Sequence, residues 1–209
     1  MYREPIPLKP VTLVGRWVRL VPLEENHAAD LFAASQDEEI WPYLLYDMPR
    51  RMQDMQEQIR DTLQRQARGQ VLPFAIVEQA SGRAIGSTSY LDISMHDRHV
   101  EIGSTWLGRA SQRTAVNTEC KYLLMAHAFE TLGCIRVQLK TDLRNVRSQR
   151  AIERIGAVRE GVLRKHMVVK GGYPRSTVYY SVVDDEWPAV KSRLERMLES
   201  APHEQRNSV

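Results

Sequence analysis

The polar and basic turn at residues 111–114 leads directly into a helical pattern, and together the two could bind an anion. From Ala115 onward, apolar or small residues recur at spacings of three and four, whereas Glu119 and Lys121 fall on the other faces of the predicted helix. The start of a helix presents unpaired backbone N–H groups and the positive end of the helix dipole. With the guanidinium of Arg113 these groups suit a pyrophosphate, although an ordinary capped helix after a strand would show the same pattern.

A second polar pair, Asn145 and Ser148, opens another segment with helical periodicity, which Gly156 ends. Residues three apart share a face of a helix, so both side chains could contact one ligand. Capping is the alternative, because asparagine is a common N-cap residue and serine is tolerated in a first turn.

The rest of the chain supplies the elements that would position these residues. Apolar alternation and short apolar runs predict strands at residues 14–23, 71–78, 84–93, 100–107, 135–142, 158–169 and 176–183. Helical periodicity predicts helices at residues 24–36, 52–69, from 115, at 145–155 and at 184–199. The order β-α-α-β-β-β-α-β-α-β-β plus a C-terminal helix predicts an α/β (α+β) fold. We expect a mixed, mostly antiparallel sheet of about seven strands flanked by helices.

Length and composition limit the class of protein. A chain of 209 residues with 43% hydrophobic content can bury one core, so we expect a single domain over residues 1–199 and a flexible tail at residues 200–209. The formal charge of +3 is too small for a dedicated nucleic-acid binder. No stretch has the length of a signal peptide or a membrane span, and two cysteines without a disulfide framework fit a reducing cytoplasm.

The order of elements and the two polar segments resemble the GNAT superfamily of N-acetyltransferases, specifically its branch of ribosomal-protein N-terminal acetyltransferases. The resemblance covers residues 14–186. Its phosphate loop matches Gln112-Arg113-Thr114-Ala115-Val116-Asn117, with Ala115 where the family usually has glycine and Asn117 where it has glycine or alanine. We expect the alanine to be tolerated unless that residue needs a positive φ.

The resemblance implies acetyl-CoA as the cosubstrate, with Asn145 bonding the pantetheine arm and Ser148 near the sulfur. Backbone N–H groups at residues 105–107 and 137–139 would hold the thioester carbonyl. The implied cofactor-binding residues are Thr105, Trp106, Leu107, Gln112, Arg113, Thr114, Ala115, Val116, Asn117, Asn145 and Ser148. Arginines that could meet the phosphates are Arg109, Arg113, Arg144, Arg147 and Arg150, of which a solvated basic surface would account for at least two.

Acetyl transfer to an amine requires a base for the ammonium and a proton for the departing thiolate. Glu101 is the candidate base, since several family members place a glutamate on this strand, and His99 is a weaker candidate. Relatives often use a tyrosine one turn beyond the Asn-x-x-Ser pair, but this chain has Ile152 there. Ser148 is the remaining hydroxyl and the candidate proton donor or sulfur contact.

The acceptor is left open by the sequence. Aromatic and acidic residues that could shape its groove are Trp17, Trp41, Tyr43, Tyr46, Tyr90, Tyr173, Glu38, Glu39 and Asp47. The resemblance favours a protein or peptide α-amine, with a small-molecule amine such as a polyamine or an antibiotic as the alternative. A CoA-binding sensor without chemistry and a nucleotide-binding domain are further alternatives. No metal, nucleic-acid or membrane partner is expected, and the C-terminal strands could form a homodimer.

Overall fold

The structure, a computed structural model, describes residues 8–201. Its eight strands are β1 (Leu13–Val14), β2 (Val18–Pro22), β3 (Leu72–Glu78), β4 (Ala84–Ser94), β5 (His99–Leu107), β6 (Arg136–Asp142), β7 (Val158–Val169) and β8 (Tyr173–Val183). Its α-helices are α1 (Ala28–Ala34), α2 (Met52–Ala67), α3 (Val116–Ala126), α4 (Val146–Arg154) and α5 (Trp187–Glu199). The expected tail at residues 200–209 lies, after Ala201, outside the described residues.

All eight strands form one mixed sheet in the order β1-β2-β3-β4-β5-β6-β8-β7. Every neighbouring pair is antiparallel except β5 and β6, which are parallel. The α/β class and the mostly antiparallel sheet are therefore confirmed, with one strand more than expected. The extra strand arises because residues 14–23 form two strands around a turn, in which Gly15 N donates to Val18 O at 2.9 Å.

The parallel pair β5–β6 is the feature that opens the sheet. Its pairing begins at His99↔Arg136 and ends at Glu101↔Gln138, although both strands continue beyond those residues. The β6-facing backbone groups of β5 therefore have no strand partner after Glu101. A gap between two parallel strands leaves free N–H and C=O groups that a ligand can use.

Alternation along β3 divides the apolar core between the two faces of the sheet. Phe74 and Ile76 belong to the larger cluster, which also holds the buried apolar residues of α3, α4 and α5. Ala75 and Val77 belong to the smaller cluster, which packs against α1 and α2. Because neighbouring strand residues point to opposite faces, the two sets of helices cover opposite sides of the sheet.

Two charged residues of α3 differ in burial from what the helical periodicity predicts. Glu119 and Lys121 were expected on the polar faces of this helix, but both are buried. The Glu119 carboxylate accepts hydrogen bonds from the backbone N–H groups of Arg16 at 2.6 Å and of Trp17 and Val18 at 2.8 Å each. Glu119 therefore joins the N-terminal hairpin to α3.

Candidate active site

A cavity of about 620 Å³ lies where β5 and β6 separate, which is a volume typical of a small-molecule site. It is lined by β5, β6, the turn before α3 with the first turns of that helix, the length of α4, the start of β8 and the loop at residues 40–45. Of the expected cofactor-binding residues, those that line it are Thr105, Trp106, Leu107, Gln112, Arg113, Thr114, Asn117, Asn145 and Ser148. Glu101 lines the same cavity, so the structure brings most of the predicted residues together.

The turn before α3 is held by its own side chains. Thr114 Oγ1 donates to Ser111 O at 2.8 Å and accepts from Val116 N at 3.2 Å, while Gln112 Nε2 donates to Leu107 O at 2.9 Å. The positive φ in this turn falls on Arg113, at 63°, and not on Ala115, whose φ of −64° is helical. The alanine methyl therefore adds no backbone strain in this turn.

Ala115 and Val116 do not take part as side chains. Neither lines the cavity, and the Val116 side chain is buried in the larger core cluster. Both were expected among the cofactor-binding residues because they fall within the loop pattern. The first N–H groups of a helix lack partners within it, but the N–H of Val116 already donates to Thr114 Oγ1, so a ligand at the start of α3 would share or replace that bond.

At the start of α4, Asn145 both caps the helix and lines the cavity. Asn145 is the N-cap residue, and its Oδ1 accepts from Ser148 N at 3.0 Å. The capping interpretation is thus correct for that oxygen. Asn145 and Ser148 nevertheless both line the cavity, and buried Ile152 lies one turn further along the same helix.

Glu101 is the buried carboxylate of the cavity, with 1% of its surface exposed. Its Oε2 accepts from Lys140 Nζ at 2.8 Å and from Gln138 Nε2 at 3.0 Å. The absence of a side chain at Gly103 leaves room for the Glu101 carboxylate, because a Cβ at residue 103 would lie 2.9 Å from Glu101 Oε1 and 2.7 Å from Leu91 Cδ1. Its neighbour Ile102 belongs to the core on the α3 side, so Glu101 faces the other side of the sheet.

A group of charges surrounds Asp142 at the end of β6. Burial opposes ionisation of this carboxyl, but hydrogen bonds from Arg144 Nε at 3.0 Å and Nη2 at 2.7 Å hold its pKa below the ordinary value. Arg175 lies 3.9 Å from the same carboxylate and is only 6% exposed. Burial lowers the pKa of Arg175, and its Nε has no hydrogen-bond partner within residues 8–201.

Lys121 is one of the cavity residues that the sequence pattern missed. It is 7% exposed, and its Nζ donates to Thr105 Oγ1 at 2.9 Å. Burial lowers its pKa from 10.5 to about 8. A charged residue on a predicted amphipathic helix is ordinarily assigned to solvent, so no signal in the sequence pointed to this position.

Several residues proposed for phosphates or acceptor lie elsewhere. Arg109 bonds Glu39 and lies 3.5 Å from Asp37, while Glu38 and Asp47 pair with Arg50 and Lys170. Tyr90 was considered for the acceptor groove, but it is fully buried and donates to Leu124 O at 2.6 Å. His99 lies 3.8 Å from Asp92 and does not line the cavity. Among the residues proposed for the phosphates or the acceptor, the ones that line the cavity are Arg113, Arg147, Arg150 and Tyr43.

Comparisons with known proteins agree with this geometry. The family model described as an acetyltransferase (GNAT) domain matches residues 18–158. A GCN5-related N-acetyltransferase structure from Brucella melitensis has 33% identity and a TM-score of 0.88, covering 94% of this chain and 89% of that one. A structure named as a candidate acetyltransferase from T. thermophilus has 36% identity and a TM-score of 0.83, covering 92% of this chain and all of that one. The chain therefore belongs to the GNAT acetyltransferase family, and it is an acyltransferase by that membership.

One curated relative carries a more specific name. The candidate ribosomal N-acetyltransferase YdaF of Bacillus subtilis is 31% identical over 110 residues, which are 53% of this chain and 59% of YdaF. The match thus spans less than two thirds of that relative's length. RimJ of Mycobacterium smegmatis in complex with CoA-disulfide has a TM-score of 0.77 over 90% of this chain and 95% of that one. At 18% identity, that likeness supports the fold alone.

Across residues 8–201, no group of three or more His, Cys, Asp or Glu side chains is arranged to hold a metal ion. Within the same residues, no helix has the length and apolar character needed to cross a membrane.

Proposed function

We propose that this protein transfers the acetyl group of acetyl-CoA directly to a primary amine in the cytoplasm, and that the amine is the α-amine of a protein or peptide. The observation that carries the proposal is one cavity lined both by the positive start of α3 and by the buried carboxylate of Glu101. The first feature suits a pyrophosphate, and the second suits a proton acceptor.

The residues present fit acetyl-CoA, which supplies the acyl group as a thioester. Arg113, before α3, and Arg147 and Arg150, on α4, line the cavity and suit phosphate oxygens. Backbone groups of β5 beyond Glu101 lack a β6 partner and would hold the pantetheine arm or the thioester carbonyl. Asn145 has a side-chain amide nitrogen beside its capping oxygen, and this nitrogen would donate to the same arm.

Glu101 would accept the proton that the acceptor ammonium must lose before it attacks. Its carboxylate already bonds Lys140 and Gln138, which fix its orientation within the cavity. Since both partners bond Oε2, Oε1 is the oxygen left for the acceptor or for a water molecule between the two. Ser148 would contact the sulfur and relay a proton from water to the departing thiolate, because a serine hydroxyl alone is a weak acid.

The acceptor assignment is supported by the name of YdaF and by the surroundings of the cavity. A smaller cavity of about 60 Å³ shares Leu44, Leu45, Leu91, Ser104 and Trp106 with the main one. These mostly apolar residues suit the first side chains of a peptide. A polyamine would instead require unpaired carboxylates, but Glu38, Glu39 and Asp47 are each paired with a basic residue.

The test measures both the release of the CoA thiol during turnover and the binding of acetyl-CoA. Glu101→Gln should abolish most turnover with a peptide amine while leaving the affinity for acetyl-CoA, measured by calorimetry, within about twofold. Glu25→Gln is the matched control, because Glu25 is exposed at the start of the helical segment before α1. A panel of peptide, polyamine and aminoglycoside amines identifies the acceptor class. Acetyl-CoA binding without turnover on any amine would favour a sensor, and no binding would refute the proposal.

A further inference from the structure

The side chains of Thr88, Thr105 and Lys121 form a buried polar cluster under the gap between β5 and β6, here called the Thr–Lys cluster. Lys121 Nζ donates to Thr105 Oγ1 at 2.9 Å, and Thr105 Oγ1 lies 2.8 Å from Thr88 Oγ1. Thr88 is fully buried, while Thr105 and Lys121 line the cavity. The cluster is polar although it adjoins the larger apolar core on the α3 side of the sheet.

The ammonium of this cluster has no carboxylate partner within residues 8–201. Its neighbour Glu119 directs both oxygens to the backbone of residues 16–18. Its other neighbour, Cys120, has a thiol whose pKa burial raises to about 12, so that thiol is neutral. Glu101 bonds Lys140 and faces the opposite side of the sheet. A buried ammonium that bonds one hydroxyl has two further N–H donors to satisfy.

The position of Lys121 indicates which ligand could satisfy it. It lines the cavity together with Asn145 and Ser148, the residues that the proposed function places beside the pantetheine arm and the sulfur. The proposed function assigns the phosphates of CoA to the arginines before α3 and on α4, which line the same cavity. The methyl group of an acetyl chain cannot accept a hydrogen bond from an ammonium or a threonine hydroxyl. A carboxylate has two acceptor oxygens and a negative charge that would balance the ammonium.

We propose that the protein also accepts, and binds more tightly than acetyl-CoA, a CoA thioester whose short acyl chain ends in a carboxylate, and that Lys121 binds this carboxylate. The inference rests on the proposed function, because it requires the CoA thioester in this cavity. In the reaction the thioester C–S bond breaks and an amide C–N bond forms. The amine loses one proton and CoA leaves as the thiol, so no oxidant or reductant is needed.

Affinity measurements test this without knowledge of the acceptor. Malonyl-CoA and succinyl-CoA carry the carboxylate, while butyryl-CoA matches succinyl-CoA in chain length without the charge. Calorimetry on the wild type should show that malonyl-CoA or succinyl-CoA binds about tenfold or more tightly than butyryl-CoA, as expected for a charge-assisted hydrogen bond out of water. Lys121→Met should reduce that ratio to about one, while Lys9→Met, at an exposed lysine, should preserve it.

Each alternative gives a different result. Equal affinity of the wild type for the charged and neutral acyl groups would overturn the proposal. A proportional loss for all CoA compounds in Lys121→Met, including free CoA, would overturn it as well, because Lys121 would then contact the pantetheine arm. Retention of the wild-type ratio in Lys121→Met would assign the selectivity to another residue. No binding of any CoA compound would refute the proposed function itself, whereas binding of acetyl-CoA with no charge preference refutes only this inference.

Discussion

Replacing Lys121 by methionine should make the free protein more stable at neutral pH. Burial lowers the pKa of this lysine from 10.5 to about 8, so the folded state disfavours the ammonium that the unfolded chain holds freely. A shift of that size corresponds to roughly 3 kcal/mol of destabilisation at pH 7. Methionine fills a similar volume without the charge, and Thr105 keeps its contact with Thr88.

The sign of the pH dependence follows from the lowered folded-state pKa. Between pH 8 and 10.5 the unfolded chain binds this proton more readily than the folded protein, so wild-type stability gains from this group as the pH rises. The advantage of Lys121→Met should therefore fall from about 3 kcal/mol at pH 7 to between about 1 and 2 kcal/mol at pH 9.5. All other titrating groups are common to both proteins, and their effects cancel in the difference.

Thermal unfolding of both proteins at several pH values measures this difference. At pH 7, Lys121→Met should melt roughly 6–12 °C above the wild type, and the two melting temperatures should converge toward pH 9.5. A melting-temperature difference that stays constant from pH 7 to 9.5 would show that the lysine titrates normally and that its burial carries no electrostatic cost. A variant less stable than the wild type at pH 7 would also contradict the prediction.

Three further predictions concern other parts of the structure. Gly15→Ala would place a Cβ 2.3 Å from Glu119 Cδ, and the displaced carboxylate should cost about 2–4 kcal/mol in urea unfolding; an unchanged midpoint would contradict this. Ala115→Gly should leave the acetyl-CoA affinity unchanged and lower stability by up to about 1 kcal/mol, since Ala115 is already helical; tighter binding by calorimetry would argue against it. Cys120 and Cys134, whose pKa values burial raises to about 12 and about 11, should react with a thiol reagent at pH 8 only after unfolding, and rapid labelling of the native protein would disprove their burial.

The parts of the site that follow local chain chemistry could be predicted from the sequence. The helix that begins after Asn145 has its N-cap at the expected residue, and the polar turn at residues 111–114 leads into α3 as expected. Both depend on hydrogen bonds between residues only a few positions apart, such as Asn145 with Ser148. Spacing alone is sufficient information for contacts of this range.

The parts that depend on distant residues could not be predicted. Glu119 and Lys121 look like solvent-facing charges because their burial depends on the backbone of residues 16–18 and on Thr105. Tyr90 looked available to an acceptor, but its strand position directs it into the core beneath α3. In each case the partner lies far along the chain, and periodicity carries no information on which strand will face the helix.

The attachment of Glu119 to the N-terminal hairpin has a practical consequence for where this domain can be cut. The family match begins at residue 18, so a truncated chain that starts there would lose the amide donors of Arg16 and Trp17. The nitrogen of Val18 would then be the α-amino terminus of the chain, so none of the three backbone amides would remain for this buried carboxylate of α3. A portion of this protein that keeps α3 bonded to the N-terminal hairpin therefore starts at or before Gly15, upstream of the residues that the family model matches.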